Sequence, residues 1–111
     1  MPRPRIKRCI ANEPSSLFYK PQAIRMKDLQ QITLSYDQLE ALRLADVENM
    51  KQANAAELMN ISSSTFSRLI AEARYIVARA LTKGWALKIE GGNFEISTNI
   101  KTHKEKQNEQ T

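Results

Sequence analysis

The sequence predicts a mainly α-helical protein: a three-helix core built on a helix-turn-helix, with a small C-terminal β-hairpin that an N-terminal strand can join. Three observations predict this. Residues 66–81 hold an unbroken helical apolar period, Asn60-Ile61-Ser62 separates two helical segments, and after Gly84 the period changes to that of strands. The 111 residues suit one ordinary domain, and 41% hydrophobic with 26% charged residues suits a globular one. No apolar run approaches the roughly 18–20 residues of a membrane-spanning helix, so no membrane partner is expected. The basic start, MPRPRIKR, is followed by no apolar stretch, so no secretory signal is expected and a cytoplasmic location is the default. One cysteine, Cys9, supplies neither a disulfide framework nor a multi-cysteine zinc site.

The elements follow in order. Residues 1–11 read as a basic arm containing a short strand over Arg5–Ile10, if a partner strand exists. Residues 12–34, with Pro14 and Pro21, read as a loop-rich segment; Leu17, Phe18 and Tyr19 can pin it to a core, and Met26 to Ile32 can make a short helical turn. The helix-turn-helix core spans residues 35–84. Ser35-Tyr36-Asp37-Gln38 fits a capping box, Asp37 suits the positive end of the helix dipole, and Leu39, Leu42 and Ala45 recur at helical spacing with Leu44 widening the stripe. Asn49-Met50 should end that helix. A second runs over about Gln52 to Met59. Asn60 suits the left-handed turn, and Ser62 suits the N-cap of a third helix over about 63–82. Its stripe is Phe66, Leu69, Ile70, Ala73, Ile76, Val77, Ala80 and Leu81, and Gly84 stops it. Over residues 85–97, Leu87 and Ile89 alternate with Lys88 and Glu90, and Gly91-Gly92-Asn93 reads as the turn of a hairpin that Phe94 and Ile96 continue. Residues 98–111 are polar and aperiodic, and read as a disordered tail.

Fixed offsets support the helix-turn-helix. Counting Gln52 as the first position, Ala56 falls where the helices cross closely, Asn60 at the left-handed turn, and Ala55, Met59, Ile61, Phe66 and Leu69 at buried positions. A plain helical hairpin in a bundle obeys the same constraints. The outward face of the third helix separates the two. It carries Ser64, Arg68, Ala71 and Tyr75, flanked by Ser67 and Arg79, rather than the Glu–Lys pairs of a merely solvated helix. Small residues let a helix end sit deep in a major groove. Ser63, Ser64, Thr65 and Ser67 can bond phosphates or base edges, and Arg68 can make the bidentate contact to guanine. Ser62 and Ser63 serve equally well as caps. Arg3 and Arg5, with Lys7 and Arg8, can track phosphates or enter a minor groove, though a basic terminus can also be merely frayed. Gln52 and Arg74 are further phosphate candidates, Arg74 with Lys51 a weaker one.

The total charge of +5, from 17 Lys and Arg against 12 Asp and Glu, is ambiguous until divided. Residues 1–34 carry +5, residues 35–50 carry −3, residues 51–84 carry +3 and residues 85–111 balance, so the excess sits on the arm and the reading-helix region. Catalytic chemistry has no visible seat. Gly91-Gly92 lacks the Lys-Ser/Thr and helix of a phosphate loop, His103 lies alone in the polar tail, and Cys9 has no evident base. The expectation is a binding protein and not an enzyme, with no metal and no cofactor.

The segments MPRPR, YDQLEALRLADVENM, AAELMNISSSTFSRLIAEAR and ALKIEGGNFEI resemble the small prokaryotic proteins grouped as domain of unknown function 134, over roughly residues 1–97. That resemblance implies a helix-turn-helix like region four of sigma factors and a role in transcription regulation with no assigned target. Members often carry further cysteines near the N-terminus, where this chain has Ser15, Ser16 and Leu17, so the resemblance brings no metal site with it. The combined reading is a sequence-specific double-stranded DNA-binding protein, a transcriptional regulator with its third helix in the major groove. The alternative is a sigma-like interaction module that docks on RNA polymerase through Tyr75 and Arg79. RNA binding is disfavoured, because no aromatic stacking platform is evident. A homodimer is compatible with the motif, although no heptad or separate dimerisation segment is visible.

Overall fold

The computed structural model describes residues 7–11, 17–25, 28–92 and 94–96, and within them the protein is a small mixed α/β globule with a helical core. Strand β1 is Arg8–Ile10, β2 is Phe18–Tyr19 and β3 is Gln31–Leu34. Helix α1, Tyr36–Leu42, runs into a π-helical turn over Arg43–Val47; α2 is Gln52–Leu58 and α3 is Ser63–Lys83. Strands β4, Ala86–Ile89, and β5, Phe94–Ile96, follow.

The helix ends form where the side chains dictate. Ser35 Oγ accepts from the Gln38 amide while Gln38 Oε1 accepts from the Ser35 amide, the reciprocal pair of a capping box. Ser62 Oγ accepts from the Thr65 amide at 3.1 Å and starts α3. Asn60 is left-handed at φ 59°, and Gly84, left-handed at φ 68°, stops α3 after 21 residues, about 31 Å. Helix α1 stays regular for seven residues only. At the π turn, Glu48 N–H donates to Arg43 O at 2.8 Å, a five-residue step, and left-handed Asn49 then turns the chain.

Two apolar clusters share α3. In the first, Ala41 and Leu44 meet Ala55, Ala56 and Met59 of α2 and Phe66, Leu69 and Ile70 of α3. The two alanines on α2 leave no side chain to hold the helices apart. In the second, Leu34, Ala73 and Ile89 join the strands to the middle of α3, with Leu39, Ile76, Val77 and Leu87 packed around them. Of the α1 stripe, Leu44 lies deep in the core, while Leu39, Leu42 and Ala45 are half-buried. Leu81 departs from the expected stripe: it is 79% exposed, because neither sheet nor α1 covers that flank of α3.

The expected hairpin does not form. Strand β4 is the centre of a three-stranded sheet, antiparallel to β2 and parallel to β3, so both its edges are taken. Strand β5 pairs in parallel with β1, with Arg8 opposite Phe94 and Ile10 opposite Ile96. The N-terminal strand therefore joins β5, as the pattern allowed, but in a separate two-stranded sheet. Gly91 and Gly92, both at positive φ, carry the chain past the start of α1, where Tyr36 N–H donates to Gly91 O at 3.0 Å. The Tyr36 and Phe94 rings then meet at 4.8 Å between centroids, tilted 60° to one another. The loop-rich stretch 12–34 also holds two short strands, β2 and β3. Of the helical turn expected at Met26 to Ile32, Asp28 lies in a 3-10 turn, its N–H donating to Arg25 O at 2.9 Å. Residues 26 and 27 lie outside the described residues, and from Gln31 the chain is extended as β3 instead. Phe18 is half-buried, but Leu17 and Tyr19 are exposed, so only Phe18 pins the segment. Residues 1–6 and the polar tail from Ser97 lie outside the described residues.

Two buried carboxylates bind the strands to α1. Asp37, 2% exposed, holds the Arg8 guanidinium at 2.5 Å and accepts from the Ser35 hydroxyl. Glu40 accepts from the Ala11 amide at 2.6 Å and from Arg43 Nε and Nη2 at 2.6 and 3.1 Å. Cys9 N–H donates to Met59 O at 3.1 Å, so β1 is tied to α2 as well. Gly92 packs directly on this arrangement: a Cβ there would stand 2.5 Å from Asp37 Oδ1 and 2.9 Å from Ser35 Cβ. Its φ of 103° already disfavours any side chain. Gly92→Ala is expected to cost about 2 kcal/mol or more of stability, read by urea unfolding. A variant as stable as the parent would show that Asp37 is not held where described.

Candidate nucleic-acid interface

The N-terminal half of α3 presents two unlike faces. Phe66, Leu69 and Ile70 are buried against α1 and α2, while Ser63, Ser64, Ser67 and Arg68 are exposed. Thr65 is half-buried, and its hydroxyl accepts from Ser62 Oγ at 2.8 Å; Ser62 and Ser64 hydroxyls stand 3.2 Å apart. Of the expected contact residues, Thr65 and Ser64 thus take part in the cap. Ser63 and Ser67 make none of those cap bonds, and the first-turn amides of α3 point outward as at any helix start. Gln52 is exposed at the first turn of α2.

Arg68 lines a polar cleft of about 360 Å³ together with Arg8, Ser35, Gln38, Thr65 and Glu72. The cleft brings β1, the start of α1 and α3 to one place. Arg8 is the last cation of the basic opening segment, and its clasp on Asp37 fixes where that segment meets the globule: beside Arg68. Arg3 and Arg5 themselves lie outside the described residues. Glu72 was not singled out from the sequence. It lies four residues after Arg68 on the same side of α3 and accepts from Gln38 Nε2 at 3.4 Å. The i, i+4 spacing of Arg68 and Glu72 was the available signal.

Arg74 stands apart from this group. Its Nη2 and Nε donate to the two carboxylate oxygens of Asp46 at 2.6 and 3.2 Å, a bidentate pair joining α3 to the π turn. Hydrogen bonding to Arg74 holds Asp46 below the usual carboxylate range, and the same bond raises the Arg74 guanidinium. Tyr75 is 61% exposed on the outward face, while Arg79 lies over the Trp85 ring at 5.0 Å. The Tyr75–Arg79 surface is therefore split, with its cation turned to the protein. Among the described residues, no group of three or more His, Cys, Asp or Glu could hold a metal ion. None of the described helices is long and apolar enough to cross a membrane.

Fold and site together define a small globule in which a two-helix turn presents a hydroxyl- and arginine-bearing helix face beside a basic segment. The chain belongs to the family described as protein of unknown function DUF134, whose model matches residues 1–97. It is 56% identical over 92 residues to the UPF0251 protein Rru_A1194 of Rhodospirillum rubrum, an alignment covering 83% of this chain and 64% of that relative. It is 50% identical over 96 residues to the UPF0251 protein DET0218 of Dehalococcoides mccartyi, covering 86% of this chain and 82% of that one. A UPF0251 protein of Desulfosudis oleivorans is 43% identical over 94 residues, covering 85% of this chain and 68% of its own. The chain thus spans about two thirds of the length of two of these relatives. No solved structure matches it to significance.

The Arg74–Asp46 pair has a pH signature. A depressed Asp46 contributes stability that is present above the ordinary carboxylate range, near 4, and is lost as pH falls through its folded value. NMR titration of the Asp46 carboxyl is expected to place it below ordinary aspartates, and Arg74→Ala to return it to their range. No change on removing Arg74 would contradict the pair.

Proposed function

We propose that the protein binds double-stranded DNA by placing the N-terminal half of α3 in the major groove, and that it acts in transcription regulation by binding rather than by catalysis. The observation that carries this reading is the juxtaposition in the polar cleft: Arg68, on the exposed face of α3, lies beside Arg8, the point where the basic opening segment joins the globule. A polyanion on that face meets both at once. Its bases face Ser63, Ser64, Ser67 and Arg68, and its phosphates face the arm and the amides of the α3 start. The acidic stretch of residues 35–50 does not oppose this. Asp37, Glu40 and Asp46 are each paired with an arginine, and Glu48 accepts from Arg43 at 3.2 Å. Arg74 takes a smaller part in this reading than the sequence suggested, because Asp46 holds both arms of its fork.

Titration of fluorescent duplexes selected from a random library tests the assignment. Arg68→Ala is expected to weaken the selected site by about 1–3 kcal/mol and to relax one base position. Equal losses on selected and random duplexes would remove Arg68 from base readout, and no binding at low salt by the parent would end the reading altogether. The arm is tested separately by Arg3→Ala with Arg5→Ala, which leaves the Arg8–Asp37 clasp intact. Binding to all sequences should weaken, and the slope of log affinity against log salt should shrink by about two. An unchanged slope would show that the arm does not touch phosphate.

A further inference from the structure

Exposed apolar side chains concentrate at one place on the described surface, well away from Arg68. Leu81, Val47 and Tyr19 are 79%, 75% and 54% exposed, and all three line one groove of about 810 Å³. It runs along the C-terminal half of α3, with the π turn on one side and β2 and β4 on the other. The space stays open because α3 offers small residues there: Ala80, and Gly84, where a Cβ would meet no atom within 4 Å. From Val77 to Gly84 the groove follows α3 for about 10 Å, the reach of a medium-length alkyl chain. Its volume falls within the roughly 300–1,000 Å³ of small-molecule sites, and its lining is mostly apolar. Its exposed apolar surface, roughly a few hundred Å², is well short of the roughly 800 Å² that each partner gives to a standard protein interface. The groove therefore suits one small ligand rather than a second folded chain.

The charge around the groove is one-sided. Among the described residues Lys20 and Arg43 line it, and no Asp or Glu does. The Arg43 guanidinium is already matched by Glu40 and Glu48, so it supplies wall rather than charge. Lys20 differs: its ammonium donates to the Ile24 carbonyl at 2.9 Å, which uses one of three protons and neutralises nothing. Arg79 stands over the Trp85 wall at 5.0 Å, and among the described residues no carboxylate pairs with it or with Lys20. An apolar trough with unmatched positive charge along its sheet side fits an apolar body that carries one negative group. We propose that the groove binds a small amphiphilic anion, an alkyl carboxylate of medium chain length, with its chain along α3 and its head group at Lys20. Leu81 lies 13 residues beyond Arg68, roughly 20 Å along the helix axis, so this site and the cleft at Arg68 can be filled together. The inference stands on the groove and its charges and does not depend on the DNA reading.

Trp85 is the chain's one tryptophan, so its fluorescence reports on the groove directly. Titrating the full chain, without DNA, with decanoate below its micelle concentration is expected to shift that emission saturably. The dissociation constant should be on the order of tens to hundreds of micromolar. Decanol and decyltrimethylammonium, which have the same chain and no negative group, should bind at least tenfold more weakly. Lys20→Gln should weaken decanoate at least threefold and leave decanol unchanged, whereas Leu81→Asp should weaken both. Both positions are exposed, and unchanged thermal melts of the two variants check that the fold is kept. No saturable shift up to roughly ten millimolar decanoate would overturn the proposal. So would equal binding of decanol or of the cationic amphiphile, and so would binding that Leu81→Asp leaves untouched.

Discussion

Asp37 and Glu40 are carboxylates taken almost wholly out of water, and an ion in that position must be matched or the fold that buries it is lost. Both are matched from outside their own helix turn. Arg8 comes from β1, the Ala11 amide from just beyond it, and Arg43 from the π turn. The pairing therefore does more than neutralise charge. It holds β1 across α1, and β1 is the only described partner of β5. Removing Asp37 would release the Arg8 clasp, and removing Glu40 would release the Ala11 amide, each loosening β1 while its Cys9 amide stays on Met59 O. The same contacts show why Gly92 has no side chain, because the chain passes against Asp37 at van der Waals distance.

The helices were legible because their signals are local. Ser35 with Gln38, Ser62, Asn60 and Gly84 each act within four residues, and the α3 period repeats over five turns with nothing to interrupt it. The sheets were less legible because their partners are distant. Gln31-Ile32-Thr33-Leu34 does alternate, with Leu34 buried and Gln31 and Thr33 exposed, but its partner β4 begins some fifty residues later. Gly91-Gly92 misled for a different reason. Two glycines between alternating runs are what a hairpin needs, yet the positive φ values serve a passage around α1, and β4 has no free edge for β5. Leu81 obeys the helical period and still faces water, since a period reports a face and not what covers it.

The candidate interface was legible in part. Exposure of Ser63, Ser64, Ser67 and Arg68 follows from their position opposite Phe66, Leu69 and Ile70 on a regular helix. Which cations stay available does not follow from position. Arg74 and Arg68 lie six residues apart on one helix, but of the two it is Arg74 that closes an ion pair, with Asp46 of a π turn that no sequence pattern announced. The segment charges overstated the free negative charge of residues 35–50, where Asp37, Glu40 and Asp46 are each paired with an arginine.

Both parallel pairings join strands far apart along the chain: β1 with β5 across 86 residues, and β3 with β4 across 55. Parallel strands so separated form only after a long loop has closed, and closure of that kind slows folding relative to helix contacts. As the chain emerges from the ribosome, α1, α2 and α3 can dock on one another while β1 and β3 still present bare edges. The Arg8 clasp on Asp37 can hold β1 against α1 through that interval, ready for residues 94–96 to complete the ladder. Completion of the cleft in which Arg8 meets Arg68 is thereby coupled to the last-made strand.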